Sequence, residues 1–119
     1  MKKKLTLYHN GGCSKSRAVF ALLDKRPDVE LEVVEYLATP PTPAILDQLL
    51  LRLGLEPQDI VRTNEDDYET LGLDKNPPTS RDGWLAILTR HPILIERPII
   101  TDGIRAIIGR PPERALELV

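Results

Sequence analysis

Apolar positions along this chain fall into short runs whose spacing switches between every second residue and every third or fourth. Leu5-Thr6-Leu7-Tyr8 alternates and carries strand-forming residues, which predicts a short strand. From Arg17 to Lys25, Phe20, Leu23 and the neighbouring Ala and Val share one face of a predicted helix. Alternation returns from Val29 to Val33 and predicts a second strand. A strand, helix and strand of these lengths form a parallel unit with a right-handed crossover. Ala38-Thr39-Pro40-Pro41-Thr42-Pro43 then breaks the pattern. Thr42 suits an N-cap and Pro43 the first helical position. The helix they open runs through Ile45, Leu46, Leu49, Leu50 and Leu53, and Gly54 suits its end.

Two short helical pieces, Gln58 to Thr63 and Asp66 to Leu71, come next, followed by a loop at Asn76-Pro77-Pro78. Thr79 or Ser80 caps a further helix that carries Trp84, Leu85, Ile87 and Leu88 and stops before Pro92. A tryptophan and leucines at that spacing belong to a core. Arg97 to Thr101 and Ile104 to Ile108 are rich in β-branched residues and are joined by Asp102-Gly103, which predicts a hairpin. Pro111-Pro112-Glu113 opens a last helix that ends near Val119. The order is β-α-β, then helices, then β-β-α. It predicts one α/β domain over residues 1–119, with a four-stranded mixed sheet. A helical insertion over about 42–91 is expected to cover one end of that sheet.

Composition narrows the function. A chain of 119 residues can bury a core in a single domain. The formal net charge of −2 argues against a general nucleic-acid binder, which needs a basic surface. No apolar run approaches the roughly 18 residues of a membrane span. The apolar stretch after Met1-Lys2-Lys3-Lys4 is too short for a secretory leader, so a cytoplasmic location is expected. The single cysteine forms no internal disulfide and fits a reducing compartment. Any redox cycle through it must take its second thiol from another molecule.

That cysteine is the candidate for chemistry. Cys13 stands where the first strand hands over to the first helix, behind Gly11 and Gly12, which allow a tight turn. The first N–H groups of a helix lack partners and carry partial positive charge, so a thiolate or oxyanion placed there is stabilised. Such cysteines titrate below the free value of about 8.5. Lys15 and Arg17 add positive charge nearby. A lone cysteine is often just a small buried hydrophobe, but that role belongs inside an apolar run, and the neighbours here are Gly, Ser, Lys and Arg. His9 either tunes the thiolate or is a hydrogen-bonded structural residue. Ser16 stands where a dithiol motif would carry its second cysteine, and its hydroxyl either bonds the thiolate or caps the helix.

Four segments together resemble the ArsC-type, glutaredoxin-coupled arsenate reductases, a family of thioredoxin-like (glutaredoxin-like) fold that includes ArsC-like and Spx-like relatives. They are His9-Asn10-Gly11-Gly12-Cys13-Ser14-Lys15-Ser16-Arg17, Val61-Arg62-Thr63-Asn64-Glu65, His91 to Ile99, and Gly109-Arg110-Pro111-Pro112-Glu113. The resemblance implies a nucleophilic Cys13 and an oxyanion cradle of Arg62, Arg97 and Arg110. Each of the ten arginines taken singly reads as a solvated surface residue. Arg97 and Arg110 depart from that reading most, since each precedes a proline and Arg97 leads straight into an apolar strand. Planar guanidinium groups offer paired donors and stay charged, so they can orient an oxyanion and offset its repulsion of a thiolate. A proline opening an edge strand is usually trans, whereas the resemblance implies that Pro98 is cis.

By the same resemblance, Cys13 attacks arsenate, glutathione displaces an oxygen, and glutaredoxin or a second glutathione resolves the mixed disulfide as arsenite leaves. The implied partners are arsenate or a similar oxyanion, glutathione as cosubstrate, and glutaredoxin. No bound cofactor, metal, nucleic acid or membrane is implied, and the expected state is a monomer. One alternative is a glutathione-dependent thiol oxidoreductase of this fold with no arsenate role. Another is an Spx-type regulator contacting RNA polymerase, although those typically carry Cys-x-x-Cys where this chain has Cys13-x-x-Ser16.

Overall fold

The structure, a computed structural model, describes residues 2–119. The chain folds as two compact units, one made of residues up to Thr39 together with Arg97–Val119, the other of Pro40–Glu96. The helical segment expected over 42–91 lies in the second unit.

The first unit holds strands β1 (Lys3–His9), β2 (Val29–Glu35), β3 (Ile99–Thr101) and β4 (Ala106–Ile108), helix α1 (Ser14–Asp24) and a closing 3₁₀ helix at Pro112–Leu118. The sheet order is β2-β1-β3-β4. β1 runs parallel to β2, with His9 opposite Glu35. β3 is antiparallel to β1, with Tyr8 opposite Ile99, and β4 is antiparallel to β3, with Ile108 opposite Ile99. The last residues of β1, the first of β3 and the last of β4 therefore meet at one end of the sheet.

One face of this sheet carries the core. Leu5 and Leu7 from β1 pack with Val19 and Leu23 from α1, Ile100 and Ile107 from the hairpin, and Ala115 and Leu118 from the 3₁₀ helix. Each fully buried Leu, Ile or Val contributes about 1.5–3 kcal/mol by leaving water. β3 is buried at all three of its positions because it has a strand on either side.

Several elements differ from the sequence reading. α1 begins at Ser14 rather than Arg17, with Cys13 as its N-cap. β2 continues two residues beyond Val33. The hairpin turns over the four residues Asp102–Arg105, because Thr101 pairs with Ala106. Asp102 Oδ1 accepts from the N–H groups of Ile104 and Arg105 at 2.8 and 2.7 Å, and Gly103 adopts φ 94°. Ile104, expected within a strand, is thus the tip of that loop and 83% exposed. The expected last helix is 3₁₀. Neither Gly11 nor Gly12 has positive φ. The tight turn there comes from Asn10, whose Oδ1 accepts from Gly12 N at 2.9 Å.

In the second unit α2 (Pro43–Leu53) is capped by Thr42 Oγ1, which accepts from Ile45 N at 3.2 Å, and ends at Gly54 with φ 70°. A 3₁₀ turn at Pro57–Ile60 and the short α3 (Asp66–Thr70) follow. α4 (Arg81–Arg90) is capped by Ser80, not Thr79, with Ser80 Oγ accepting from Gly83 N at 3.0 Å. α2 packs on α4, and Leu46, Leu49, Leu50, Trp84, Leu85 and Leu88 are buried. No strand falls within 43–53 or 80–90.

Candidate active site

Cys13 is held by its own loop. Its N–H donates to Asn10 O at 3.0 Å, and its carbonyl accepts from Arg17 N at 3.0 Å, which starts α1. As N-cap it stands in extended conformation with its side chain beside the unpaired first N–H groups of the helix. Only 9% of the residue is exposed. Burial pushes its thiol pKa up, but the backbone N–H groups of Ser16 and Lys15 and the Arg97 side chain bond the sulfur and outweigh that. The net direction is downward from the ordinary value of 9.0.

Arg110 completes the setting of the sulfur. Its Nη2 lies 3.6 Å from Cys13 Sγ, and its Nε donates to the Arg97 carbonyl at 2.7 Å. The hairpin explains this convergence. Arg97 just precedes β3 and Arg110 just follows β4, so antiparallel pairing returns both to the end where β1 delivers Cys13. Between them lies the cis Arg97–Pro98 bond, as the resemblance implied; a second cis bond, Arg110–Pro111, was not foreseen.

Gly109 donates to Pro98 O at 2.9 Å. A Cβ there would stand 2.7 Å from Val19 Cγ2, 2.9 Å from Pro98 Cγ and 3.2 Å from Ile100 Cδ1. Glycine at this position is what lets the hairpin close on α1. Nothing in the neighbouring residues signals it, because the constraint is a contact between distant segments.

The supporting residues take structural parts. Ser16 is fully buried, and its Oγ pairs with His9 Nδ1 at 2.7 Å and accepts from Asn10 N at 3.0 Å. The hydroxyl is thereby committed to the loop; what Ser16 offers the sulfur is its backbone N–H. The His9 ring lies against Phe20, with centroids 5.7 Å apart. Its pKa is lowered, first by burial and then by Arg17, against the raising effect of Glu35. His9 is therefore the neutral hydrogen-bonded residue of the two roles open to it. Arg17 Nη1 donates to Gly11 O at 2.9 Å and ties the loop to the helix. Asn10, which engages Ser16, Gly12 and Cys13, is the loop residue that sequence reasoning passed over; an Asn three residues before a helix N-cap was the available signal.

Arg62 lies in the second unit. Its Nε donates to Glu65 Oε1 at 3.1 Å and its Nη1 to Glu96 Oε1 at 2.7 Å, which raises its already high pKa against the opposing effect of burial. Its backbone N–H donates to Leu94 O at 2.7 Å, beside the single bridge between Val61 and Ile95. Among the described residues no group of three or more His, Cys, Asp or Glu side chains could hold a metal ion. Nor is any helix long and apolar enough to cross a membrane.

A small mixed sheet delivering one cysteine to a helix N-terminus, with a proline-led hairpin closing over it, places the protein among single-cysteine proteins of thioredoxin-like fold. The particular branch follows from comparison: the chain belongs to the ArsC family, whose sequence profile matches residues 8–118. It is 41% identical to an arsenate reductase of Neisseria meningitidis over 92% of this chain and 93% of that one. It is also 42% identical to the uncharacterized protein YfgD of Escherichia coli, over 100% of this chain and 99% of that one. The solved structure of an arsenate reductase from Vibrio cholerae superposes with a TM-score of 0.91 at 38% identity, covering both chains fully.

Proposed function

We propose that this protein is an arsenate reductase that uses Cys13 as nucleophile and glutathione with glutaredoxin as the source of electrons. The observation that carries the reading is the placing of Arg110 Nη2 3.6 Å from a cysteine sulfur whose proton is lost more readily than usual. A thiolate approaching arsenate meets like charge. Arg97 and Arg110 offset that repulsion and offer paired donors to the oxyanion, and Arg62 is the third member of the cradle by resemblance. His9, Ser16 and Arg17 hold the loop, and Pro98 sets the start of β3.

The Cys13 thiolate attacks arsenic and an oxygen leaves as water, giving an S–As(V) bond. A glutathione thiol displaces a second oxygen in the same way. Two As–S bonds then break as one S–S bond forms between Cys13 and glutathione, and the remaining electron pair stays on arsenic. Arsenite leaves after taking up water. A second glutathione, or glutaredoxin, attacks the mixed disulfide and returns Cys13 to its thiol. Two thiols become one disulfide for each arsenate reduced, so atoms and electrons balance.

A coupled assay with glutathione, glutaredoxin, glutathione reductase and NADPH tests this. NADPH consumption should require arsenate and should be abolished in Cys13→Ser. Consumption that ignores arsenate but still requires Cys13 would instead establish the glutathione-dependent thiol oxidoreductase.

A further inference from the structure

Arg62 is held from two directions within the Pro40–Glu96 unit. Glu65 accepts from its Nε at 3.1 Å, and Glu96, 34 residues away in sequence, accepts from its Nη1 at 2.7 Å. The Arg62 side chain is only 15% exposed. The backbone prepares the contact with Glu96. Arg62 N–H donates to Leu94 O at 2.7 Å and Glu96 N–H to Ile60 O at 2.8 Å, one on either side of the Val61–Ile95 bridge. Two carboxylates on one guanidinium give the trio a formal negative charge, which by itself works against holding an anion. What the arginine gains is direction. A long side chain loses rotamer freedom when it grips a ligand, and one already fixed by partners has less left to lose. Neither carboxylate uses Nη2, so that end of the planar fork keeps its donors for something else. The residue after Glu96 is Arg97, whose side chain bonds the Cys13 sulfur.

We propose that Glu96 is a positioning residue for the oxyanion: by accepting from Nη1 it fixes the Arg62 guanidinium with its Nη2 end presented to arsenate. This rests on the reading of Arg62 as the third member of the cradle. Glu65 lies in the same turn of chain as Arg62 and steadies the Nε side, whereas Glu96 reaches the fork from a distant segment and sets its direction. Glu96 touches no reacting atom in this role; it acts through Arg62. Charge and positioning then predict opposite signs. If Glu96 acted only as a negative charge near an anion site, removing it would tighten arsenate binding. If it aims Arg62, removing its acceptor loosens arsenate even though a repelling charge has gone.

The test reads arsenate occupancy rather than turnover, as the arsenate concentration that halves the rate at which uncharged iodoacetamide alkylates Cys13. In Glu96→Ala that concentration should rise roughly three- to ten-fold, within the coupling range of residues in contact. Glu96→Gln keeps an acceptor for Nη1 and loses the charge, so it should bind arsenate as well as wild type or better. Glu96→Ala placed on Arg62→Lys should add little, because the group it aims is already gone. Glu69→Gln, at an exposed position of α3, removes a negative charge from the same unit and should change nothing. Alkylation without arsenate should be the same in every Glu96 variant, since the donors to the sulfur are Ser16, Lys15 and Arg97. Unchanged or tighter arsenate binding in Glu96→Ala would overturn the proposal, as would an equal loss in Glu96→Gln, full additivity with Arg62→Lys, or an altered alkylation rate without arsenate. The Arg62→Lys variant separates the two readings. If it leaves protection at the wild-type value, the cradle reading of Arg62 fails and takes this proposal with it. If it loosens arsenate while Glu96→Ala does not, only the role of Glu96 fails.

Discussion

At the scale of single residues, the sulfur of Cys13 is governed by donors rather than by solvent. Burial alone would keep the thiol protonated, but two helix N–H groups and a guanidinium favour the thiolate more strongly. Alkylation by iodoacetamide across pH should therefore show a midpoint below the free thiol value. A midpoint at or above the free thiol value of about 8.5 would show no useful activation. Stability follows from the same shift. Between the lowered folded value and 9.0 the folded chain holds fewer protons than the unfolded chain, so this stabilising contribution is full above 9.0 and is lost as pH falls through the folded value. The stability gap between wild type and Cys13→Ser should widen as pH rises towards 9.0, as measured by denaturant unfolding. Arg97→Lys and Arg110→Lys keep the charge but lose the fork of donors. Each should lower arsenate-dependent turnover by roughly ten-fold or more, since a charge-assisted hydrogen bond is worth about 1.5–3 kcal/mol.

At the scale of elements, the site depends on how closely the β3–β4 hairpin meets α1. Gly109 is the point of contact, with no space for a Cβ between Val19, Pro98 and Ile100. Two of those three neighbours are fully buried, so they can give little. Gly109→Ala should cost about 1–3 kcal/mol, the usual range for overpacking, and lower Tm measurably. Because the same strand end carries Arg110 against the sulfur, the variant should also raise the Cys13 alkylation midpoint. A variant with unchanged Tm and unchanged midpoint would show that the hairpin closes on α1 by some other means. Gly109 lies within one of the motif segments, yet only packing shows what it does.

At the scale of the whole molecule, the Pro40–Glu96 unit has a charge balance of its own, with five Lys or Arg against ten Asp or Glu. Arg62 is bound within it to Glu65 and Glu96. Arg62→Lys should reduce arsenate-dependent turnover by roughly ten-fold, as for the other two arginines. It should also cost some stability, since an exposed to half-buried ion pair is worth about 0.2–1 kcal/mol and two are involved. Turnover and Tm must therefore be measured together. Arg52→Lys, on α2, is the control and should leave turnover near wild type. If Arg62→Lys and Arg52→Lys behave alike, Arg62 is a structural clip and no part of the cradle.

What the sequence determined by itself was local. Period and capping residues placed β1, α1, α2 and α4, because amphipathic spacing and an N-cap or a left-handed glycine act within one turn of chain. Thr42 and Gly54 bound α2 as expected for that reason. The motif segments, read by resemblance, pointed to Cys13, Arg62, Arg97, Arg110 and a cis Pro98; the structure brings Cys13, Arg97 and Arg110 together around one sulfur, pairs Arg62 with Glu65 and Glu96, and shows the cis bond. Tertiary structure decided what depends on contacts between distant segments. The strand register made Asp102–Arg105 a four-residue loop and left Ile104 in solvent. Burial against Phe20 and the bond to Ser16 made His9 a neutral structural residue. The closeness of Val19 and Pro98 reserved position 109 for glycine. None of these is visible in a window of neighbouring residues, since each is set by the distance between side chains that only the folded chain brings together.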